Sequence, residues 1–225
     1  MSSRPNNLPL LVRRQALAAL AGLPVTATAL AQAPAAGLRP TPRQTLGPFY
    51  PRSADERPRE IDADLLVVSG ERVLSRGTPL HLTGRVLDRT GLPAAGAQVE
   101  IWQCDANAVY HHPAGGAEGE RDPNFQGYGQ AGTDDSGAFH FRTIRPVAYP
   151  GRAPHIHVRV EARGRPILAT QLYLADEAGN GRDFLYRQLS ADERSQLTLT
   201  LRPPASLHPL ARATALTAAI DLVLG

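Results

Sequence analysis

From Leu80 onward the chain runs through short segments in which apolar and polar residues alternate, separated by turn residues. The stretch His81–Asp88 alternates and breaks at Arg89-Thr90-Gly91. Ala97–Gln103 alternates again, with Ala97, Val99 and Ile101 on one side. Asp134-Asp135-Ser136-Gly137 is a turn leading into Ala138–Thr143. His155–Ala162, Leu168–Ala175, Gln196–Leu201 and Ala219–Leu224 complete the set. A period of two is the signature of strands, since successive side chains point to opposite faces. Ser190 followed by Glu193 has the spacing of a capping box and marks the start of one short helix. The segment Thr41–Tyr50 is rich in Pro and Gly and reads as extended. No long helical segments alternate with these strands, so a parallel α/β sheet is not expected. The pattern predicts an all-β fold: an antiparallel β-sandwich with long loops and few short helices.

The first 33 residues depart from this pattern. Arg13-Arg14 precede a mostly apolar stretch, Ala16–Ala31, and Ala31-Gln32-Ala33 is a small-x-small cleavage pattern. Residues 1–33 are therefore expected to be a signal peptide, with residues 34–225 as the mature domain and 34–42 as a Pro/Ala-rich linker. The paired arginines suit the twin-arginine route, and the implied location is periplasmic or extracellular in a bacterium. A membrane anchor is the competing reading, but the apolar stretch is short and carries Gly22 and Pro24. No membrane association is expected once the signal is removed.

Charge alters little. The formal net charge is +3, and no lysine occurs, so all 24 basic residues are arginine. Arg4, Arg13 and Arg14 fall in the acid-free first 33 residues; without them 21 basic residues face 21 acidic ones. Nucleic-acid binding loses its electrostatic support. Cys104 is the single cysteine, so no internal disulfide can form.

The densest chemical signal is Tyr149-Pro-Gly-Arg-Ala-Pro-His155-Ile-His157. On a strand, His155 and His157 share a face and Ile156 points into the opposite layer. Two surface histidines on an edge strand are the plain alternative for a bare His-x-His. The Pro/Gly-bracketed loop ahead of the pair, carrying Tyr149 and Arg152, is the kind of place where functional groups sit on a rigid scaffold. Further upstream, a strand ending near Cys104 turns through Asp105-Ala-Asn107 and delivers Tyr110. Two phenols with two imidazoles suit one kind of ion. A phenol with a pKa of about 10 binds as phenolate only to a strongly acidic metal. Fe(III) is hard and highly charged, whereas zinc prefers cysteine, histidine or carboxylate.

With these residues the chain resembles the intradiol ring-cleavage dioxygenases, most closely the protocatechuate 3,4-dioxygenase type. The matching segments are Thr41–Tyr50, Val99–Tyr110, Arg121–Gly129, Thr133–Pro146, Tyr149–Val158 and Thr170–Tyr173. The resemblance implies Tyr110 and Tyr149 as tyrosinate ligands, equatorial and axial, and His155 and His157 as the histidine ligands of Fe(III). Arg152 would stabilise negative charge on the activated ring, and Gln171 would be an active-site amide. Trp102 and Tyr173 are expected in the core, while His111 and His112 either line the pocket or sit in solvent. The implied partners are a catechol-type small molecule and O2. The reaction would cleave between the two hydroxyl-bearing carbons and give a muconate-type diacid. A homo-oligomer is compatible with the resemblance. Only five residues separate Tyr149 from His155, which leaves the substrate-shaping loop, and so the particular catechol, open.

Two rivals belong to other classes. The stretch Gly84–Val99 followed by Thr133–Phe139 also resembles transthyretin-like and carboxypeptidase-regulatory sandwiches, non-catalytic binding modules that give no reason for Tyr149, Arg152, His155 and His157 to cluster. An Fe(II) extradiol dioxygenase or a zinc hydrolase would need a carboxylate or cysteine beside the histidines, and no acid lies close in sequence to His155 or His157.

Overall fold

Every expected strand but Gln196–Leu201 is formed in the computed structural model, which describes residues 37–68, 74–115, 121–204 and 215–225. The expected signal segment 1–33 lies outside these residues. The strands are β1 (Pro79–Asp88), β2 (Gln98–Trp102), β3 (Tyr128–Gly132), β4 (Ala138–Ile144), β5 (His155–Glu161), β6 (Leu168–Leu174), β7 (Thr198–Leu199) and β8 (Leu216–Leu224). Two short helices, α1 (Phe184–Gln188) and α2 (Ala191–Leu197), lie between β6 and β7. The capping box is present: Ser190 Oγ accepts from the Glu193 amide, and Glu193 Oε2 accepts from the Ser190 amide at 2.8 Å. All described residues fall in one unit, Ala36–Gly225. No helix among them is long and apolar enough to cross a membrane.

The chain is mainly β, but its sheets are mixed and not purely antiparallel. One sheet has the order β4-β1-β8 and the other β3-β2-β5-β6-β7. The β1–β8 and β6–β7 pairs are parallel. Parallel neighbours need a long connection, and alternation within a strand does not reveal which strand it will meet. The expected strand Gln196–Leu201 is also corrected. The helix started by Ser190 continues through Leu197, leaving only Thr198–Leu199 to pair with β6.

Inward residues of both sheets enter one core that includes Leu80, Leu82, Phe141, Ile101, Ile156, Val158, Leu172, Leu222 and, from α2, Leu197. Full burial of each such side chain contributes about 1.5–3 kcal/mol. A second, aromatic cluster gathers Trp102, Cys104, Tyr110 and Tyr128, with Leu46, Phe49, Tyr50 and Tyr149 packed on it. Strand β5 separates the two clusters. Ile156, Val158 and Val160 feed the first, and the intervening histidines face the other way. β2 is buried on both faces. Glu100, on the side opposite Val99 and Ile101, accepts from Arg159 Nη1 at 3.1 Å and from the Tyr50 hydroxyl at 2.8 Å, which satisfies a carboxylate that burial would otherwise penalise.

Register builds the site. Across antiparallel neighbours Tyr128 faces Trp102, Trp102 faces His157, and His157 faces Gln171, while His155 faces Tyr173. Directly paired residues share a face, so four strands contribute one row of functional side chains.

Candidate functional site

His155 and His157 are 2% and 1% exposed, on a strand held between β2 and β6. This removes the edge-strand alternative. Their Nε2 atoms stand 3.2 Å apart and the rings are inclined by 73°. Two imidazole nitrogens bound to one ion at about 2.0–2.1 Å, at roughly 90–110°, would be about 2.8–3.4 Å apart. His155 Nδ1 lies 2.6 Å from the Ala153 carbonyl. A carbonyl only accepts, so Nδ1 carries the proton and Nε2 presents its lone pair, the usual way a ligating imidazole is held. His157 is fixed by stacking on Trp102, with ring centroids 4.8 Å apart and planes within 9°. Gly47 lies against the same ring at its Cε1 atom: its φ is +74°, and a Cβ there would stand 3.2 Å from His157 Cε1.

Tyr149-Pro150-Gly151-Arg152 forms a type II turn. Pro150 occupies the second position, Gly151 has φ +83°, and the Arg152 amide donates to the Tyr149 carbonyl at 3.0 Å. The turn sets the phenol and the guanidinium side by side. Arg152 Nη1 donates to the Tyr149 hydroxyl at 3.3 Å, Nη2 to Gln171 Oε1 at 2.6 Å and Nε to Asp183 Oδ2 at 2.7 Å. Gln171 in turn donates to the Thr45 carbonyl at 3.0 Å.

Tyr110 is carried by a loop pinned on the buried Asp105 carboxylate, which accepts from the amides of Asn107, Val109 and Asp122 at 2.8–3.0 Å. The hydroxyl of Tyr110 is buried without a hydrogen-bond partner, as is Nδ1 of His157. The four rings close a circuit. Centroid separations are 5.6 Å for Tyr110–Tyr149, 5.6 Å for Tyr149–His155, 4.8 Å for His155–His157 and 6.2 Å for His157–Tyr110. Phe49 covers it, stacked on Tyr110 at 4.3 Å and edge-on to Tyr149 at 6.3 Å.

Burial keeps all four groups neutral when no ion is present. It pushes the Tyr110 phenol well above its ordinary value, the neighbouring Tyr149 adding to the effect. Tyr149 is also raised by burial, with Arg152 opposing. Desolvation pulls His155 down to about 4 and His157 well below its usual range. A bound cation reverses this for the phenols, favouring phenolates, and reinforces it for the imidazoles, which it also keeps unprotonated. One consequence is measurable without metal. A buried histidine whose folded pKa is depressed binds fewer protons folded than unfolded, so stability is lost as pH falls. The metal-free chain is expected to lose on the order of 3 kcal/mol from His155 alone between about pH 6.5 and pH 4. Urea unfolding across that range checks it; a flat profile would mean that the imidazoles are not held neutral.

All six expected site residues, Tyr110, Tyr149, Arg152, His155, His157 and Gln171, meet in this one place. Trp102 and Tyr173 are buried as expected, yet both touch it: Trp102 stacks on His157, and the Tyr173 hydroxyl lies 3.4 Å from Gln171 Oε1. His111 and His112 face carboxylates, Asp105 and Glu56, each at 3.7 Å. They line a cavity of about 350 Å3 whose lining includes none of the four rings. Sequence reasoning missed Gly47, Phe49, Asp105 and Asp183. Gly47 and Phe49 lie in the extended Thr41–Tyr50 segment and Asp105 in the turn ahead of Tyr110, segments that stand out in the sequence without assigning these residues a role; Asp183 had no such signal. Among the described residues no group of three or more His, Cys, Asp or Glu is placed to hold a metal, so a two-histidine, one-carboxylate site is not formed.

The family model described as Dioxygenase matches residues 47–207. The beta chain of protocatechuate 3,4-dioxygenase from Burkholderia cepacia is 40% identical over 107 residues, covering 43% of this chain and 44% of that protein. Catechol 1,2-dioxygenase from Candida albicans is 30% identical over 164 residues, covering 63% of this chain and 49% of that one. The chain thus spans about half the length of these curated relatives. Among solved structures, the dioxygenase domain of a dioxygenase carbohydrate-binding protein fusion from Streptomyces sp. SirexAA-E superposes with a TM-score of 0.59 at 32% identity. That match covers 83% of this chain and 98% of that one. With a family model matched over most of its length, the chain belongs to the intradiol ring-cleavage dioxygenases.

Proposed function

We propose that the chain is a non-haem Fe(III) dioxygenase that cleaves a catechol-type ring with O2 between its two hydroxyl-bearing carbons, giving a muconate-type diacid. The observation that carries this reading is the closed circuit of two phenols and two imidazoles, with no cluster of three or more His, Cys, Asp or Glu among the described residues. The residues fit the ion: the Tyr110 hydroxyl is buried without a partner, the two imidazole Nε2 atoms face one another at 3.2 Å, and a donor set of two phenols suits a hard, highly charged cation. Tyr110, Tyr149, His155 and His157 would hold Fe(III), which supplies a Lewis acid and template that make a bound catecholate reactive toward O2.

The chain's own groups divide the remaining work. Tyr110 is closed in by Phe49 and suits a permanent ligand. Tyr149, half-buried on its turn, is the phenol able to yield its place to substrate and take up a catechol proton on Oη. Arg152, already beside that oxygen, favours its anionic form and would offset negative charge on the ring. Gln171 holds the guanidinium at Nη2 while Asp183 holds it at Nε. In the same reading the two sheets are the layers of a β-sandwich, and the chain is exported after cleavage near Ala33. Several relatives are named for catechol, hydroxyquinol or protocatechuate cleavage, so these diols form the substrate panel.

The test is iron content and a visible spectrum of the purified domain, before and after anaerobic addition of each diol, followed by oxygen uptake. A phenolate-to-iron absorption band that shifts with diol, together with O2 consumption, is expected. A protein that stays colourless after ferric reconstitution overturns the proposal.

A further inference from the structure

Asp183 has a fully buried carboxylate whose two oxygens serve different parts of the fold. Oδ1 accepts from the amides of Leu185 and Tyr186 at 2.9 and 3.0 Å, capping helix α1. Oδ2 accepts from Arg152 Nε at 2.7 Å and from the Ala153 amide at 2.9 Å. A helix cap needs only the first oxygen. The second reaches two residues of the site. With Nε held by Asp183 and Nη2 by Gln171, the Arg152 guanidinium is restrained at two of its three nitrogens. Nη1 is then left aimed at the Tyr149 hydroxyl. Ala153 carries the restraint further, since its carbonyl is the acceptor for His155 Nδ1 at 2.6 Å. Phe184, the first residue of α1, lies over the same guanidinium with its ring centroid 5.4 Å from Cζ.

We infer that Asp183 is a positioning residue that acts through its Oδ2 on Arg152 and on the Ala153 peptide, beyond its part in capping α1. The inference rests on the dioxygenase reading for its catalytic consequence, although not for its geometry. It distinguishes the two oxygens chemically. Asp183→Asn can keep a carbonyl oxygen at the helix end, but it then puts an amide, a donor, against the Arg152 and Ala153 donors. Asp183→Ser keeps a cap and removes the contact altogether.

The iron-loaded full chain is assayed with its best diol, and the metal-free full chain is examined by 1H–15N spectroscopy of arginine side chains. In the parent, the Arg152 Nε–H is expected as a resonance protected from solvent exchange; in both variants that protection is lost. Both variants are expected to lower kcat by about 10- to 100-fold with a smaller change in KM. In an Arg152→Gln background, Asp183→Asn is expected to lower kcat by a clearly smaller factor than in the parent, because the part of its effect that passes through the arginine is already gone and only the part through the Ala153 peptide remains. A folded variant with parental kcat and a protected Nε–H overturns the inference. So does an equal fractional loss of kcat with and without Arg152. A parent chain with neither colour nor oxygen uptake overturns the dioxygenase reading instead, and the Nε–H measurement then still decides what Asp183 holds.

Discussion

Tyr110→Phe is expected to give a chain at least as stable as the parent and almost without turnover. The two effects have opposite signs for one reason. The Tyr110 hydroxyl is buried in the metal-free chain with no well-formed hydrogen bond, only its interaction with the Tyr149 phenol, and a buried unsatisfied group costs about 1–3 kcal/mol. Removing it relieves that cost and deletes a phenolate donor. The loss in kcat/KM should be at least about 10^3-fold, about 4 kcal/mol of transition-state stabilisation, with much of the phenolate absorption gone. Urea unfolding of the metal-free protein and oxygen uptake by the iron-loaded one check both halves. Lower stability with unimpaired turnover would take Tyr110 out of the ligand set.

The second large effect belongs to Arg152. Arg152→Lys keeps the positive charge but replaces a planar fork by a single ammonium, which cannot meet Tyr149, Gln171 and Asp183 together. A fall in kcat of about 10²–10³-fold is expected, the range found when one preorganised electrostatic group is lost. Stability should fall less than for a typical broken buried ion pair. Asp183 retains three backbone donors, from Ala153, Leu185 and Tyr186. Turnover within a few-fold of the parent would mean that charge alone suffices and the fork geometry does not matter.

Much of the site was legible because its determinants are local. Pro150-Gly151 dictates the turn that pairs Tyr149 with Arg152, and the period of two puts His155 and His157 on one face. Ser190 and Glu193 announced α2. What remained hidden depends on chain segments far apart in sequence. Asp183 reaches Arg152 across 31 residues. Gly47 is needed because His157 packs against it, and a glycine in a Pro/Gly-rich stretch carries no mark of that neighbour. β3 escaped notice because Tyr128-Gly-Gln-Ala-Gly132 has two glycines and little apolar alternation; it is a strand because β2 offers it an edge. The burial of Glu100 was equally unreadable, since an acid normally marks the wet side of a strand and here meets Arg159 and Tyr50.

The parallel pairing of β1 with β8 has a consequence for biosynthesis. β1 ends at Asp88 and β8 begins at Leu216. At about 5–20 residues per second, a translating ribosome leaves β1 without that neighbour for roughly 6–26 s. Throughout that interval one edge of a strand bearing Leu80, Leu82 and Val86 stays open to other nascent chains. Chaperone demand should therefore track the delay before β8 emerges more closely than the stability of the finished protein.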